Sequence, residues 1–394
     1  MEVLINQNRI DKINKFMNEL EDRSSDLSKP EIYHKYETFI NQVTATDIFL
    51  LDWYQNDTPH EIDYLKETAG KFVNVFYHGL NKNKPENYDS LLLKYFLKEN
   101  AETERLLDSI KQLFKRGEIL ENRDIILDVI EKCKELEKKF IKRELILFPR
   151  LEAKVATNKP FEVLWSLNDD ARHLRTKLIE SLKRNNVKEI DLIYLIGEYY
   201  NVVYGINNKE ELILFPIAEK LLSSDEKTDM YNECLEYGFS FIENTPHTPK
   251  NTNDDLIMNG SIKTSTGELS ISEFTGIMKF LPLDITFVDK YDQVKYFNDR
   301  KERHFPRNKS IIGRKVKNCH PPKSVHIVEE IVDAFKKGKK DIAEFWIEFN
   351  KVFLYITYYA VRNKENEYMG TLEVSQDVSR IRELKGQQRL LDWK

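Results

Sequence analysis

The sequence predicts an α+β protein, in which an all-helical N-terminal region precedes a domain of short strands and helices. Before residue 244 glycine is scarce and apolar residues recur at helical spacing, whereas later segments alternate apolar and polar residues as strands do. Residues 244–269 are dense in Thr, Asn, Pro and Gly, which is typical of a linker. The pattern predicts short helices over 1–83, a bundle over 84–243, a strand-containing domain over 270–380 and a terminal helix over 381–394.

Composition and charge narrow the class of protein. The chain has 394 residues, enough for two or three domains, and its 61 basic and 66 acidic residues give a net charge of −5, too mild to indicate a nucleic-acid partner. The segment 295–340 is basic, but no nucleic-acid-reading motif accompanies it. Three scattered cysteines suit a reducing compartment, and no apolar run approaches ~18 residues. We therefore expect a cytoplasmic protein without a membrane partner.

Long amphipathic helices joined by short loops predict an up-down four-helix bundle. The expected helices lie near 88–116, 122–149, 160–184 and 189–221. The second and fourth carry a repeated motif, RELILFP at 143–149 and EELILFP at 210–216, whose prolines are expected to end the helices. The motif also places carboxylates, Glu144 and Glu211, on the inner face of the bundle. A buried carboxylate is costly unless it is paired or bound to metal.

The repeated motif, together with KENAETERLL (98–107) and VLWSLNDDARHLR (163–175), resembles a hemerythrin-type bundle. The arrangement is similar to that of the DUF438 family, which joins such a bundle to a C-terminal PAS domain. The resemblance implies two irons held by inward His, Glu and Asp side chains. The family's glutamates match Glu144 and Glu211, but its histidine positions hold Lys94, Lys139 and Asn168.

The missing histidines predict a degenerate bundle that binds no iron, because a di-iron centre needs several neutral imidazoles to balance its carboxylates. We expect the two lysines to pair with Glu144 and Glu211 instead. The alternative is a carboxylate-rich iron site formed by Glu99, Glu144, Asp169 and Glu211, which would make the protein an oxygen- or nitric-oxide-binding di-iron protein.

The C-terminal region resembles a PAS domain. Two strands, a helix and three strands are expected in that order, with FVD at 287–289, Asn298 after the second strand, IIGR at 311–314 and QDVS at 376–379. NCHPPKSV (318–325) is similar to the DUF438-type subfamily. The resemblance implies a five-stranded antiparallel sheet around a small cavity that holds haem, flavin, a metabolite or nothing.

The expected binding site of this domain is the segment NCHPPKS, just before the long helix. Cys319, His320 and His326 would face the cavity, and an apolar wall would be supplied by Trp346, Phe349 and Tyr355. In one interpretation His320 contacts a small-molecule ligand. In another, an imidazole or the Cys319 thiolate ligates haem. In a third, the segment is a rigid turn whose histidine bonds to the backbone.

The chain ends in a short helical stub with apolar residues at coiled-coil spacing (Ile381, Leu384 and Leu391, with Gln388 at the remaining position). Two such stubs would suit a homodimer. The sequence therefore predicts a sensory or regulatory protein, in which the PAS domain senses a small ligand or redox state and the metal-free bundle is an output or docking surface for a protein partner. No catalytic motif indicates an enzyme.

Overall fold

The protein comprises two compact units, residues 1–247 and 248–394. This computed structural model describes residues 7–22, 27–49, 51, 62–116, 119–155, 157–184, 186–242, 260–264, 266–300 and 303–387. Within these ranges no helix is long and apolar enough to cross a membrane. The chain is α+β, with its helices mostly in the first unit and its main sheet in the second.

The first unit is helical and has a single hydrophobic core, so the segments 1–83 and 84–243 pack together. The helices before the bundle are Gln7–Glu21, Lys29–Ile40, Ala45–Phe49, Ile62–Val75 and Tyr77–Asn83. A helix after the bundle, Ser224–Tyr237, begins at a capping box formed by Ser223 and Glu226.

The predicted four-helix bundle is present. Bundle helix 1 is Leu91–Arg116 and bundle helix 3 is Lys159–Lys183. Bundle helix 2 runs in successive segments, Arg123–Lys132, Cys133–Glu135, Leu136–Lys142, Arg143–Leu147 and Phe148–Glu152, and bundle helix 4 comprises Glu189–Lys209, Glu210–Leu214 and Phe215–Leu221. Each bundle helix contacts the next, and the fourth contacts the first, which closes the bundle.

The repeated motif does not end its helices, contrary to the prediction from Pro149 and Pro216. Each copy instead forms one turn of π-helix, at Arg143–Leu147 and Glu210–Leu214, after which the α-helix continues. A proline inside an α-helix lacks a donor and clashes with the carbonyl four residues earlier. Here each proline is the second residue of the segment after the wider turn, where the early positions of a helix tolerate it.

The second unit begins with a hairpin of β1 (Ser261–Thr264) and β2 (Gly267–Ser270), so the end of the predicted linker is a pair of strands. Residues 244–259 lie outside the described residues. The helix Ile271–Phe280 follows, capped by Ser270 and Glu273.

The main sheet is antiparallel and five-stranded, as the resemblance to a PAS domain implied, and its strands lie in the order β4-β3-β7-β6-β5. Its strands are β3 (Asp284–Asp289), β4 (Val294–Phe297), β5 (Ile342–Phe349), β6 (Val352–Arg362) and β7 (Tyr368–Asp377). Short 3₁₀ turns, Lys309–Ile311 and Val316–Cys319, lead to the helix Pro322–Lys336, called the cavity helix here because it packs on the inner face of the sheet.

Asn298 fastens the start of the sheet, which explains its place after the second strand. Its side-chain oxygen Oδ1 accepts a hydrogen bond from the Ile285 backbone amide at 2.7 Å, and its side-chain nitrogen Nδ2 donates to the backbone carbonyls of Met278 (3.0 Å) and Leu283 (2.9 Å). The side chain is fully buried with these bonds made.

Only the start of the predicted C-terminal stub is described. A short helix spans Ser379–Glu383, and the chain leaves helical geometry at Leu384. The side chains of Ile381 and Leu384 are 53% and 65% exposed. Gln388 and Leu391 lie outside the described residues.

Candidate functional site

A small cavity lies between the cavity helix and the inner face of the sheet. Its volume is about 10 Å³, room for a single water molecule. Most of its wall is apolar, and polar groups come from the two central strands of the sheet. The lining residues are Val288, Val316, Val328, Ile331, Val332, Tyr358, Thr371 and Glu373.

Several side chains expected at this cavity lie elsewhere. His326 is exposed on the cavity helix, and Trp346 is 61% exposed on the outer face of β5. Tyr355 is the cross-strand neighbour of Trp346 on that same outer face, where its hydroxyl bonds to Glu344. Phe349 packs on the ring of Phe305. The residues of these strands alternate between two faces, as expected. The positions of the aromatic residues did not show which of the two faces lines the cavity.

Cys319 and His320 lie beside the cavity and are half-buried. The Cys319 thiol donates to the Lys315 carbonyl at 3.5 Å. His320 Nδ1 lies 2.9 Å from the carbonyl oxygen of Val316, a cavity residue, so Nδ1 carries the hydrogen and Nε2 of the neutral ring is an acceptor. Burial lowers the pKa of His320 more than nearby Glu373 raises it. The backbone hydrogen bond of the third interpretation is therefore present.

The main polar feature of the cavity comes from β7, and the sequence analysis missed it. Along this central strand Thr371 and Glu373 line the cavity, and Ser375, which is 1% exposed, has the same parity. The segment TLEVSQD would normally be expected to turn its Leu and Val inward and its polar residues outward. The signal available in the sequence was the uninterrupted Thr-x-Glu-x-Ser alternation in a strand that the fold places at the centre of the sheet.

Glu373 is the charged member of this row. In the sheet register it lies directly between Thr286 on β3 and Tyr358 on β6. Within the described residues, neither the Glu373 carboxylate nor the Tyr358 hydroxyl has a hydrogen bond or ion pair to another side chain or to the backbone. Burial and the charge of Glu373 raise the pKa of Tyr358 well above its usual value, so the phenol stays protonated.

Comparison with known proteins agrees with this geometry. A protein-family model described as a PAS domain matches residues 275–379. Residues 275–379 are a PAS domain. The match ends short of the helical unit.

Solved structures similar to this PAS domain come from several bacteria. A C-terminal domain from Streptococcus mutans is 34% identical, with 32% of this chain and 98% of that one covered and a TM-score of 0.31. A PAS domain from Colwellia psychrerythraea is 17% identical, covering 28% and 97%, with a TM-score of 0.23. A sensory box sensor histidine kinase from Vibrio cholerae is 10% identical, covering 27% and 90%, with a TM-score of 0.22. No curated protein matches the chain.

The PAS cavity adjoins a larger cleft on the surface of the domain. The cleft has a volume of about 410 Å³ and is lined by charged residues from the β3–β4 turn, the 3₁₀ turn before the cavity helix and that helix itself. Val316 and Val332 line both spaces. These two side chains therefore separate the cavity from an opening large enough for a small molecule.

The bundle interior is the second candidate site, and it is filled by paired charges. Glu99 accepts from Lys142 Nζ and Arg143 Nη1, each at 2.7 Å, and from the Ser240 amide at 2.7 Å. All three charged side chains are 0% exposed. Burial opposes ionisation of Glu99, but the two cations and the donors outweigh it and hold its pKa below the usual value.

Lys139 occupies a position where the family resemblance implies histidine, and its partner differs from the prediction. Its Nζ lies 3.1 Å from Glu210 Oε2 and donates to Asn207 Oδ1. Arg143 Nε donates to the other oxygen of Glu210 at 3.1 Å. The first glutamate of EELILFP, rather than Glu211, is thus the inward one, because the π-turn begins at Glu210 and sets which residue faces bundle helix 2.

The other carboxylates of the expected iron site lie apart from this cluster. Glu144 accepts from Asn168 Nδ2 at 2.9 Å and from both terminal nitrogens of Arg172 at 3.0 and 3.1 Å. Arg172 also donates to Asp169 at 2.8 Å. Half-buried Glu211 accepts from Asn100 Nδ2 at 3.2 Å, and Lys94 is exposed and makes neither predicted pair.

These residues do not fit a di-iron centre. Lys139, Lys142 and Arg143 place three cationic side chains at the middle of the bundle, where metal ligands would have to donate lone pairs. Within the described part of the chain, no group of three or more His, Cys, Asp or Glu side chains is placed to hold a metal ion. The absence of iron nevertheless stays a prediction.

Replacing Glu99 with alanine should destabilise the protein by about 3–5 kcal/mol, because Lys142 would remain buried without a counter-charge and Arg143 would keep only Glu210, which it shares with Lys139. Urea unfolding of the full-length chain measures this loss. The control is Glu131→Ala, which removes a surface pair with Lys183 at 2.7 Å and should cost less than about 1 kcal/mol. Equal losses for the two variants would contradict the assigned role of Glu99.

Glu144 should make the stability depend on pH in a defined window. Burial opposes ionisation of this carboxyl more than Arg172 favours it, which raises its pKa to about 6 from 4.5. The folded state then holds the proton more tightly, so the contribution of Glu144 falls by about 2 kcal/mol in total as pH rises from well below 4.5 to well above 6. Glu144→Gln cannot titrate. The unfolding free energy of this variant should therefore gain about 2 kcal/mol relative to wild type across that window, and a constant difference between the two would refute the assignment.

Proposed function

We propose that the protein is a cytoplasmic sensory or regulatory protein whose PAS cavity binds a small molecule. The observation that carries the proposal is the polar row of β7, which presents Glu373 and Thr371 to a cavity whose remaining wall is valine, isoleucine and the ring of Tyr358. Few, convergent polar groups in an apolar cavity are characteristic of ligand sites. The closed cavity is too small for a haem macrocycle, which favours a compact ligand over a haem sensor.

The helical unit is proposed to act as the output or docking surface, without metal. Its inward carboxylates Glu99 and Glu210 are each paired with cationic side chains of the bundle, so neither of them requires a bound metal ion as counter-charge. A ligand that binds only the folded PAS domain also stabilises it, and any conformational difference between free and bound states becomes the signal.

His320 is proposed to contact the ligand through Nε2, the acceptor left free by its Nδ1 bond to Val316. His320→Ala should weaken binding about 5- to 150-fold, which corresponds to about 1–3 kcal/mol for a lost desolvated hydrogen bond. The unliganded melting temperature should also fall, because the bond to the Val316 carbonyl is lost. Thermal-shift screening of the full-length protein with a metabolite library, followed by calorimetry on the hits, provides the measurement.

The control for His320→Ala is His326→Ala, which changes an exposed histidine six residues further on. This variant should bind the same hits with unchanged affinity. A hit whose affinity survives His320→Ala would show that the imidazole only supports the turn. No hit from any chemical class would count against the sensory proposal itself.

We also propose that the protein is a homodimer held in part by its C-terminal stub. Ile381, on the short helix, and Leu384, directly after it, support this, since both apolar side chains are exposed and a second copy of the chain would cover them. Changing both to aspartate should convert a dimer to a monomer in light scattering at micromolar concentration. Arg380→Ser on the same helix is the control. A wild-type monomer, or a dimer that survives the double change, would exclude this role.

A further inference from the structure

Glu373 lies in the wall of the PAS cavity, and no described residue forms a hydrogen bond or ion pair with its carboxylate. Placing a carboxylate away from water is costly unless hydrogen bonds and opposite charge compensate it. Other inward carboxylates meet this requirement: Glu99, Glu144 and Glu210 bond to cations of the bundle, and Asp284 on β3 accepts from the His304 amide at 2.7 Å. Glu373, which is half-buried, therefore differs from these four acids.

The polar groups beside Glu373 form no hydrogen bond with its carboxylate, and one of them adds a further hydrogen-bond acceptor. The neighbour on β6, Tyr358, is 7% exposed, and its hydroxyl has no hydrogen bond in the described structure. The next polar residue of the row, Thr371, already bonds to the hydroxyl of Tyr368 at 2.7 Å. A carboxylate and a phenol oxygen thus lie side by side on the inner face of the sheet, facing the same cavity.

The nearby arginines do not supply the missing partner. Arg303 donates to the carbonyl and side-chain oxygens of Asn298 at 2.8 and 2.7 Å, and more weakly to Thr286 Oγ1 at 3.4 Å. Arg307 donates to the Pro306 carbonyl at 3.2 Å. Within the described residues neither guanidinium forms an ion pair with Glu373, although both are close enough to act on the electrostatics of the cavity.

We infer that the ligand of the PAS cavity is a small primary or secondary amine whose protonated nitrogen donates to Glu373 and to the Tyr358 oxygen. An ammonium group offers two or three donors and a positive charge, which is what a carboxylate beside a phenol oxygen lacks. The valine and isoleucine side chains of the cavity helix would cover the apolar part of the molecule. The inference rests on the proposed sensory function and specifies the chemical class of its ligand.

The route to this site passes between two valines. The closed cavity holds about one water, whereas the adjoining cleft of about 410 Å³ has room for a small molecule. Val316 on the 3₁₀ turn and Val332 on the cavity helix line both spaces. Displacement of these side chains would join the cleft to Glu373. His320, bonded to the Val316 carbonyl, would move with one side of this opening.

The test compares matched probes on the full-length protein: n-alkylamines and cyclic amines against carboxylic acids and alcohols with the same carbon skeletons. Calorimetry and thermal shift should show saturable binding of amines and at least 10-fold weaker binding of the matched alcohols. Glu373→Gln keeps the size of the side chain and removes its charge, and it should weaken amine binding at least 10-fold. Glu348→Gln, on the exposed outer face of β5, is the control and should bind amines as wild type does.

A second readout separates a binding role from a structural one. Because no described residue forms a hydrogen bond or ion pair with the Glu373 carboxylate, Glu373→Gln should melt at the wild-type temperature or above it when no amine is present. A clear fall would overturn the inference, as would amine binding that Glu373→Gln leaves unchanged. Binding of the acids in place of the amines, abolished by Arg307→Gln, would overturn the amine but leave the sensory function standing. Failure of every probe and every metabolite to bind would overturn both.

Discussion

One physical constraint shapes both units of this protein: a charged side chain that is removed from water needs a partner of opposite charge. In the helical unit the π-turns and the helices around them bring Glu99 and Glu210 against Lys139, Lys142 and Arg143, and each of these charges lies within 3.1 Å of an opposite one. Such a network is specific, because removal of either carboxylate leaves a buried lysine without its counter-charge: Lys142 for Glu99 and Lys139 for Glu210. Both carboxylates of the bundle core are thus paired by side chains of the bundle itself.

The PAS domain follows the opposite arrangement. Its central strand carries a carboxylate to the wall of a mostly apolar cavity. Within the part of the chain that the structure describes, no cation lies at bonding distance from this carboxylate, although Arg303 and Arg307 are nearby. Sites with incomplete pairing are where a bound molecule gains most, because the cost of desolvating the protein group has already been met by folding. The contrast between the two units explains why ligand binding is assigned to the PAS domain and support or output to the bundle.

Much of the fold was predictable because it rests on periodicity. The four bundle helices, the five strands and their succession along the chain follow from apolar spacing and from short motifs such as the one containing Asn298, whereas the order of the strands in the sheet was not predicted. The π-turns were not predictable, since Phe-Pro inside a helical pattern usually signals a helix end, and only the tertiary packing shows that the chain continues. The shift by one residue from Glu211 to Glu210, and the pairing of Lys139, follow from that turn.

The site was predictable only in part, for a related reason. His320 was singled out because a histidine between a cysteine and two prolines stands out, and its contact with a ligand stays a prediction. Trp346 and Tyr355 were assigned inward because aromatic residues usually form the core. Glu373 was missed because a strand reading Leu-Glu-Val-Ser normally faces its aliphatic residues inward. Both errors have one cause. The alternation of residues along a strand shows that the strand has two faces, but it does not show which face lines the cavity.

The central claim is that the carboxylates of the bundle core are paired by side chains of the bundle, whereas the Glu373 carboxylate of the PAS domain is paired by a bound ligand. Native mass spectrometry of the full-length protein, purified from cells grown with ample iron, tests this claim most directly. The account predicts a chain without iron that carries one small organic molecule, released on denaturation and absent from Glu373→Gln. A mass increment of two iron atoms per chain, with no organic molecule bound, would contradict it.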